Sequence, residues 1–483
     1  MRRLLNATLM ASLGLLPIAA APSRPSEPPR TSQRPSVEET PAPPPFKLLR
    51  YQEDYRGYAP ARREDGSLVD PLDAIKYLPF DPAGRYYLSL GGDLRARYEY
   101  FRNPGFGLGS DAGDTLLLRA LVHADLHLTP RFRTFVQLVS LGSLGHDADP
   151  SPLDINAFDL QQGFAELRFD ELPGAHALTL RAGRQEVVLG SGRLVAIRKG
   201  PNFRRSFDMG RVQWSLPKGQ IDALGGTTVR PGAGVLDDRA DTGDALWGLY
   251  GTGQLLEGGA LGLDGYYLGV RRAERVFQDA EGVELRHSLG ARVFGRYRGL
   301  DYNYEGIVQV GSVGESSLLA WTFASDTGYT IRDGRTRARF GLRADVTSGD
   351  RAPGDGRIET FDALYPNLKY FSEAGLIVPS NHVDLHPALT LGFDRVTLTA
   401  DWNFFWRTQT ADAIYRPPGF VLFDAASSDH RFVGHQITTE LGVPLGRHFK
   451  LTLYYAHFFR GAFISAAGGR DVDFLGGWIE HTF

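Results

Sequence analysis

The sequence predicts an all-β protein, a transmembrane antiparallel β-barrel of about 18 strands. Three observations predict it: apolar and polar residues alternate over long segments, tight turns alternate with longer loops, and an export signal begins the chain. Side chains of a strand point alternately to its two faces, so alternation gives one apolar and one polar face. The segments run for about ten to fifteen residues, which is long for soluble strands and typical of strands that cross lipid.

The N-terminus has the layout of a secretory signal peptide, which we assign to residues 1–21. Arg2 and Arg3 precede an apolar run over residues 4–20 that ends among small residues. Residues 22–45 are rich in proline, which prevents helix and sheet pairing, and we expect a disordered linker there. Residues 46–85 are expected to form a periplasmic N-terminal segment and a candidate plug of the pore. Residues 86–483 are assigned to the outer-membrane barrel.

The alternation is clear between residues 86 and 100. Leu88, Leu90, Leu94, Ala96, Tyr98 and Tyr100 share one face, whereas Ser89, Asp93, Arg95, Arg97 and Glu99 share the other. Residues 286–298, 336–347 and 396–407 repeat the pattern. A backbone in lipid must also pair all its hydrogen-bonding groups, so such strands are expected to close into a barrel.

The connections support the same count of strands. Eight tight turns carry the sequences LTPRF, ELPGA, LPKGQ, LEGGA, GLDY, RDGR, FDR and PLGRH. Between them lie longer polar segments near residues 103–113, 142–156, 190–208, 231–243, 273–283, 349–376, 409–430 and 462–470, and one short join near 311–316. An even number of strands places both termini on the periplasmic side.

Composition narrows the chemistry. The chain has 53 Lys and Arg residues against 56 Asp and Glu, a net charge of −3, and no cysteine, which excludes disulfides and thiol catalysis. His123 and His127 flank Asp125 on one strand face and are interpreted as a polar wall, and Asp355 lies in a loop short of calcium ligands. We therefore expect no catalytic residue, no metal and no cofactor.

Three blocks carry a resemblance to a known family. They are LTLRAGRQEVVLGSGRLVAIRKGPNFRRSFDMGRV (residues 178–212), ADVTSGDRAPGDGRIETFDALYPNLKYF (344–371) and the late segment over residues 383–415 that contains VDLHPALTL and VTLTADWNFFWRTQTADAIY. Together they resemble the alginate export family of outer-membrane barrels. The resemblance implies an 18-stranded monomeric channel whose arginine-rich lumen passes an anionic uronate polymer, assisted by an acidic pair that we do not identify in this sequence.

The candidate substrate-binding residues fall into two groups. The resemblance points to Arg184, Arg193, Arg198, Arg204 and Arg205, and Lys199 lies in the same basic stretch, GRLVAIRKGPNFRRSFDMGR, which also holds Arg211 and the acid Asp208. The alternation adds Arg95, Arg97, Arg119, Arg292, Arg296, Arg337, Arg339 and Arg343, all opposite an apolar face. An arginine facing lipid at the bilayer midplane would cost about 2–4 kcal/mol, so these residues are expected to face inward. Asp93, Glu99, Asp125, Glu305, Asp345 and Asp401 are expected partners on that face.

The sequence therefore predicts a channel for anionic sugars or uronate polymer in the outer membrane of a Gram-negative bacterium. The alternative is a substrate-specific uptake porin for small organic acids or other anionic solutes, because sequence does not give the direction of a passive pore. Expected partners are the anionic solute, membrane lipid and lipopolysaccharide, and the barrel assembly machinery through the terminal Phe483. No nucleic acid is expected. If the basic stretch folds into the barrel, neutralising Arg204 and Arg205 is expected to shift selectivity toward cations.

Overall fold

The computed structural model describes residues 43–63, 65–109, 112–145, 153–174, 176–367 and 370–483. The expected signal peptide and nearly all of the proline-rich linker lie outside these residues. Within them, 18 long strands form one antiparallel sheet in which each strand pairs with its neighbours in the chain. The strands are β1 Tyr87–Arg102, β2 Gly113–His127, β3 Phe132–Gly145, β4 Asn156–Leu172, β5 His176–Gln185, β6 Phe207–Leu216, β7 Gly219–Arg230, β8 Arg239–Leu256, β9 Leu261–Val276, β10 Glu281–Tyr297, β11 Leu300–Val313, β12 Ser316–Asp333, β13 Thr336–Thr347, β14 His382–Phe393, β15 Val396–Arg407, β16 Phe432–Leu445, β17 Phe449–Arg460 and β18 Val472–Thr482.

The sheet closes because β1 pairs with both β2 and β18. Arg95 lies opposite Arg119 in β2 and opposite Glu480 in β18, and the same double pairing continues along the strand. Beyond the last strand, the backbone of Phe483 exchanges two hydrogen bonds with Gly92. Every wall strand therefore has two partners, as a backbone in lipid requires, and the predicted barrel is confirmed.

All eight predicted tight turns connect strands at one end of the barrel. Six of them contain a residue with a positive φ, among them Gly334 with a φ of 54° and Asp394 with a φ of 49°. Short turns of bacterial barrels face the periplasm, so the nine other connections face outward. They include the second outer loop (residues 146–155), the third (186–206) and the seventh (348–381).

The remaining elements are short. Two-residue to four-residue strands occupy Leu78–Pro79, Arg357–Ile358, Ile414–Arg416 and Phe420–Phe423, 3-10 turns occupy Arg50–Gln52, Pro71–Ile75, Pro104–Gly107, Glu257–Gly259 and Ala425–Ser427, and one α-helix occupies Ala462–Ala466. Among the described residues, no helix has the length and apolarity needed to cross a membrane.

The barrel is apolar outside and charged inside. On β1, Leu94 and Tyr98 are exposed, whereas Arg95 and Arg97 between them are 3% and 1% exposed. The inward face is covered by chain that folds into the lumen, which is why charged side chains there are more buried than their apolar neighbours. This distribution confirms the face assignment made from the alternating pattern.

The third and seventh outer loops fill much of the lumen. Val195 and Tyr365 form a parallel bridge, in which Tyr365 N donates to Leu194 O and Ala196 N donates to Tyr365 O. Apolar residues of both loops pack with inward residues of β6–β12 in one buried cluster. The two loops therefore cross the interior as a joined layer instead of projecting from the outer rim.

The N-terminal segment (residues 43–86) lies at the turn end of the barrel. Arg50 donates to the carbonyl oxygens of Gly92 and Phe483, both at 2.8 Å. Leu78 and Pro79 then pair with the first residues of β1. The segment thus contacts the ends of the strands that close the sheet.

Candidate channel lumen

The third outer loop is fixed to the barrel wall by one buried amide. Asn202, fully buried, donates through Nδ2 to the carbonyl oxygens of Leu118 at 3.1 Å and Gly142 at 3.0 Å. Its Oδ1 accepts a hydrogen bond from Arg95 at 3.1 Å. Arg95 also donates to two loop carbonyls, those of Lys199 and Pro201. The loop is therefore bound to β1, β2 and β3, and Arg95 supports it through hydrogen bonds to its carbonyl oxygens.

Arg193 bridges the third loop to the opposite wall. Its guanidinium lies 3.0 Å from Glu305 on β11 and 3.4 Å from Asp345 on β13, and it contacts the hydroxyl of Tyr370 in the seventh loop. Arg343 donates to the carbonyl of Tyr370 at 2.9 Å. Because two carboxylates compensate Arg193, its charge is balanced within the protein.

Arg204 of the third loop and Arg184 at the end of β5 are paired close to their own position in the chain. Arg204 lies 2.5 Å from Glu186, which is completely buried at the start of the loop. Arg184 binds both oxygens of Asp208, at 2.8 and 3.0 Å. Lys199 lies 3.8 Å from Glu480 and keeps 43% of its side chain exposed.

Most of the predicted wall arginines also have carboxylate partners. The pairs are Arg97 with Glu99 and Glu373, Arg119 with Asp93, Arg292 with Asp264, Arg339 with Asp301 and Asp326, and Arg343 with Asp326 at 3.9 Å. Of the expected acidic partners, Asp125 instead binds Arg133 at 3.1 Å and Asp401 lies 3.4 Å from His386. These pairs neutralise charge on the inward face of the barrel wall.

Arg198 and Arg205 differ from the other loop arginines. Both are more than nine-tenths buried, and neither guanidinium group has a hydrogen bond or an ion pair with any described residue. Burial lowers the pKa of Arg198 to about 10, and burial followed by repulsion from Arg198 lowers the pKa of Arg205. Their contacts are aromatic: Arg205 lies 5.0 Å from the ring centre of Tyr365, and Arg198 lies 5.8 Å from that of Phe203.

Arg296 and Arg337 lie at the turn end, where both are exposed. They line a cavity of about 440 Å³ together with Arg298, Arg332 and Arg339. The turn-end mouth next to β10–β14 is therefore strongly basic. The predicted arginines consequently occupy two places in the lumen, the central loop layer and the periplasmic mouth, and the structure does not bring them into one site.

Several residues that organise the lumen were not predicted. Glu186, Asn202, Tyr365 and Tyr370 bind the basic stretch, yet none stands out by spacing or by alternation. Tyr365 and Tyr370 do belong to the second resembling block, where aromatic residues follow a Ser-Gly-Asp loop. That context was the available signal for their importance.

One group of carboxylates among the described residues is close enough to share an ion. Asp159, Asp237 and Asp238 have ligand atoms within 4.8 Å of one another. Backbone amides already bind them: Asp238 N donates to Asp159, Gly234 N to Asp237 and Gly232 N to Asp238. We therefore interpret the three carboxylates as structural: they bind backbone amides that shape the loop between β7 and β8.

Comparison with known proteins identifies the family. The alginate export family profile matches residues 86–477, which is most of the chain and nearly all of the barrel. The chain belongs to the alginate export family. No curated protein sequence matched it.

Solved structures share the fold of this alginate export family member at low sequence identity. OccAB1 of Acinetobacter baumannii has a TM-score of 0.55 and 11% identity, with 85% of this chain and 98% of that chain covered. OccK11 (OpdR) of Pseudomonas aeruginosa has a TM-score of 0.53 and 14% identity, with 82% and 96% covered. OpdK of Pseudomonas aeruginosa, solved with vanillate, has a TM-score of 0.51 and 14% identity, with 82% and 98% covered. Together, the family and the barrel identify an outer-membrane channel of a Gram-negative bacterium.

Proposed function

We propose that this channel passes anionic sugars or uronate polymer through an arginine-lined pore. The observation that carries the proposal is the pair of buried guanidinium groups of Arg198 and Arg205 in the loop layer, neither of which forms an ion pair with a described residue. An unpaired buried charge costs the folded protein several kcal/mol. An anion that binds these groups removes part of that cost, and this free energy favours its binding. A guanidinium offers a planar fork of donors that fits a carboxylate.

The paired arginines have a different part in this proposal. Arg193 and Arg204 hold the third loop in place through Glu305, Asp345 and Glu186, and Arg184 joins β5 to β6 through Asp208. The exposed arginines of the periplasmic mouth raise the local concentration of anions, because a basic surface attracts them before they enter. The unpaired arginines then select for anions inside, as rings of cationic side chains do in anion pores.

The test is the reversal potential of the purified barrel in a planar bilayer under a KCl gradient. We expect anion selectivity in the wild type and a shift toward cations in the double variant Arg198→Gln and Arg205→Gln. Arg335→Gln is the control, since it removes one positive charge from a side chain that is 79% exposed at a turn. Cation selectivity of the wild type, or equal reversal potentials for the double variant and the control, would refute the proposal.

The second candidate is an uptake porin for small organic acids. The observation in its favour is the joined layer of third and seventh loops, because a lumen crossed by two loops suits compact solutes better than a polymer. Swelling of proteoliposomes in galacturonate and in uronate oligomers of increasing length separates the two. Swelling that stops at the monomer supports the porin, and swelling that continues with the longer oligomers supports the export-like channel.

A further inference from the structure

We propose that residues 46–77 form a releasable gate that closes part of the periplasmic mouth and holds the third outer loop in its closed position. The proposal rests on the channel function, but not on which solute passes. It is carried by three sets of contacts: with the inner wall, with the third loop and with one periplasmic turn. Each set involves side chains of the segment that are buried in the barrel.

The first set places the segment inside the lumen. Tyr51, 2% exposed, packs edge-on against Phe135 of β3 at 6.1 Å and Phe164 of β4 at 5.3 Å between ring centres. The guanidinium of Arg181 on β5 lies 4.2 Å from the same ring centre. Phe135, Phe164 and Arg181 all belong to the inward face, so Tyr51 occupies space that a solute would otherwise use.

The second set joins the segment to the third outer loop. The hydroxyl of Tyr51 donates to the carbonyl of Glu186 at 2.9 Å, and Arg204 donates to the carbonyl of Leu48 at 2.9 Å. Leu49 and Ile197 belong to the same buried apolar cluster. Withdrawal of the segment would thus remove bonds and apolar contacts from both ends of the loop that carries Arg198 and Arg205.

The third set is a charge latch, defined here as Asp70, Asp73, Arg447 and His448. Arg447 and His448 lie in the turn between β16 and β17. Arg447 donates to Asp70 at 2.8 Å and to Asp73 at 2.6 Å, while His448 lies 2.6 Å from Asp70. The latch binds the second half of the segment to the rim of the periplasmic mouth.

A cluster of like charges opposes permanent closure. Arg50, Lys76 and Arg447 surround the ring of Phe46 at 5.1, 5.6 and 5.2 Å from its centre. Lys76 is fully buried and its ammonium group donates to the carbonyl of Leu90 at 3.0 Å. Cation–π contacts stabilise the cluster, and Glu53 pairs with Arg50 while Asp70 and Asp73 pair with Arg447, but the three cations still repel one another. The closed form is therefore a balance between opposing terms, as a releasable element requires.

The C-terminal end of the segment is attached to the barrel wall, so the rest of the segment can rotate about that attachment. Leu78 and Pro79 pair with β1, and the following residues turn at Gly84, which has a φ of 65°. The C-terminal end of the segment is consequently fixed to the wall, and the gate moves about that point. Its N-terminal end continues into the proline-rich stretch, whose composition favours an extended chain in the periplasm.

Limited trypsin digestion of the folded barrel tests release of the segment. The double variant Asp70→Asn and Asp73→Asn removes the latch charges, and Asp65→Asn is the control, because Asp65 is exposed and, among the described residues, accepts hydrogen bonds only from Ser67. We expect new cleavage after Arg50 and Lys76, both buried in the wild type, in the double variant but not in the control. Exposed Arg62 and Arg63 serve as sites cut in every sample. Unchanged protection of Arg50 and Lys76 would overturn the latch.

Single-channel conductance tests whether release opens the pore. Because conductance follows the width of the narrowest passage, we expect the double variant to conduct about twofold more than the wild type, or better. Arg447→Gln breaks the latch from the barrel side and is expected to give the same increase. Cleavage without increased conductance would overturn the gate. Conductance amplitude is independent of reversal potential, so failure here is distinguishable from failure of the proposed anion selectivity.

A reversible cross-link between the segment and the barrel gives a channel held in the closed form, with which the released channel can be compared. The chain has no cysteine, so the pair Asp73→Cys and Arg447→Cys can be joined by a short bifunctional thiosulfonate without side reactions. We expect the linked channel to keep the low conductance and the reduced channel to behave as the latch variant. Equal conductance before and after reduction would overturn the proposal.

Discussion

Arg204 and Glu186 form an ion pair of 2.5 Å inside the barrel, at the two ends of the third outer loop. Glu186 is fully buried, and Gln161 donates to its second oxygen at 3.0 Å. Burial raises the pKa of Glu186, and the neighbouring guanidinium of Arg204 opposes that rise. The pair therefore joins the two ends of the loop, and each charge lowers the free-energy cost of burying the other.

Removing one partner of this pair is expected to be worse than removing both. Arg204→Gln or Glu186→Gln alone leaves a buried charge uncompensated, at a cost of about 3–5 kcal/mol, whereas the double variant leaves two neutral amides. The free energy of unfolding from phospholipid vesicles in urea measures the effect. Equal losses in the double variant and in the single variants would contradict the expected coupling. The predicted cation shift from neutralising Arg204 would then include lost loop structure, which is why Arg198 and Arg205 are the better pair to neutralise.

Asp154 in the second outer loop is expected to make anion selectivity depend on pH. Burial, followed by repulsion from Glu99, raises its pKa to about 6. The carboxyl is charged above that value and neutral below it, so anion selectivity is expected to rise as the pH falls from 7 to 5. Reversal potentials across that range measure the change, and Asp154→Asn is expected to show the low-pH selectivity at both ends. An identical pH response in Asp154→Asn would assign the effect to another group.

Asn202→Ala is expected to loosen the third outer loop from the wall. The change removes the donor that binds Leu118 and Gly142 and one acceptor of the buried Arg95. Groups left unsatisfied in this way cost about 1–3 kcal/mol, measurable as a lower unfolding midpoint in urea. Gln254→Ala, at an exposed amide near the turn end of β8, is the control. A midpoint no lower than that of the control would show that the wall contacts of Asn202 are dispensable.

The cost of placing a charge on the outward face is expected to depend on the depth of the position in the membrane. Leu289, 58% exposed near the middle of β10, faces lipid, and Leu289→Arg is expected to cost about 2–4 kcal/mol of unfolding free energy. Leu445, 49% exposed at the turn end of β16, lies near the membrane surface, where Leu445→Arg is expected to cost about 0–1 kcal/mol. Urea unfolding from vesicles compares the two. Equal costs would place the two positions at the same depth.

The barrel was predictable from the sequence because lipid imposes a simple rule on each strand. Arg95 and Leu94 had to face opposite sides, and turn residues such as Gly334 and Asp394 marked strand ends without any knowledge of tertiary contacts. The interior follows no such local rule. Arg193 and Glu305 are 112 residues apart, and nothing in their immediate neighbours indicates that they meet.

The basic stretch shows where prediction ended. Its six cations are equivalent by composition, yet the structure pairs Arg193, Arg204 and Arg211 with acids and leaves Arg198 and Arg205 without an acidic partner among the described residues. Which arginine meets an acid depends on how the loop crosses the barrel and on contacts from residues 46–77. Such contacts come from distant parts of the chain and carry no periodic signal.

In a soluble protein the apolar interior is constrained and the polar surface varies. In this barrel the apolar side chains face lipid and the paired charges lie inside, so the constraints on substitution are reversed. Lipid accepts Leu, Val, Ile or Phe with little discrimination, so outward positions such as Leu289 can drift freely while staying apolar. An inward charge such as Glu186 cannot change unless its partner changes with it. Barrels of this kind can consequently retain one architecture while sharing 11–14% of their residues, as this chain and the Occ barrels do. Substitutions that affect transport are then expected to occur as coupled pairs in the interior. Correlated changes at two inward positions are therefore more informative about transport than changes at single positions.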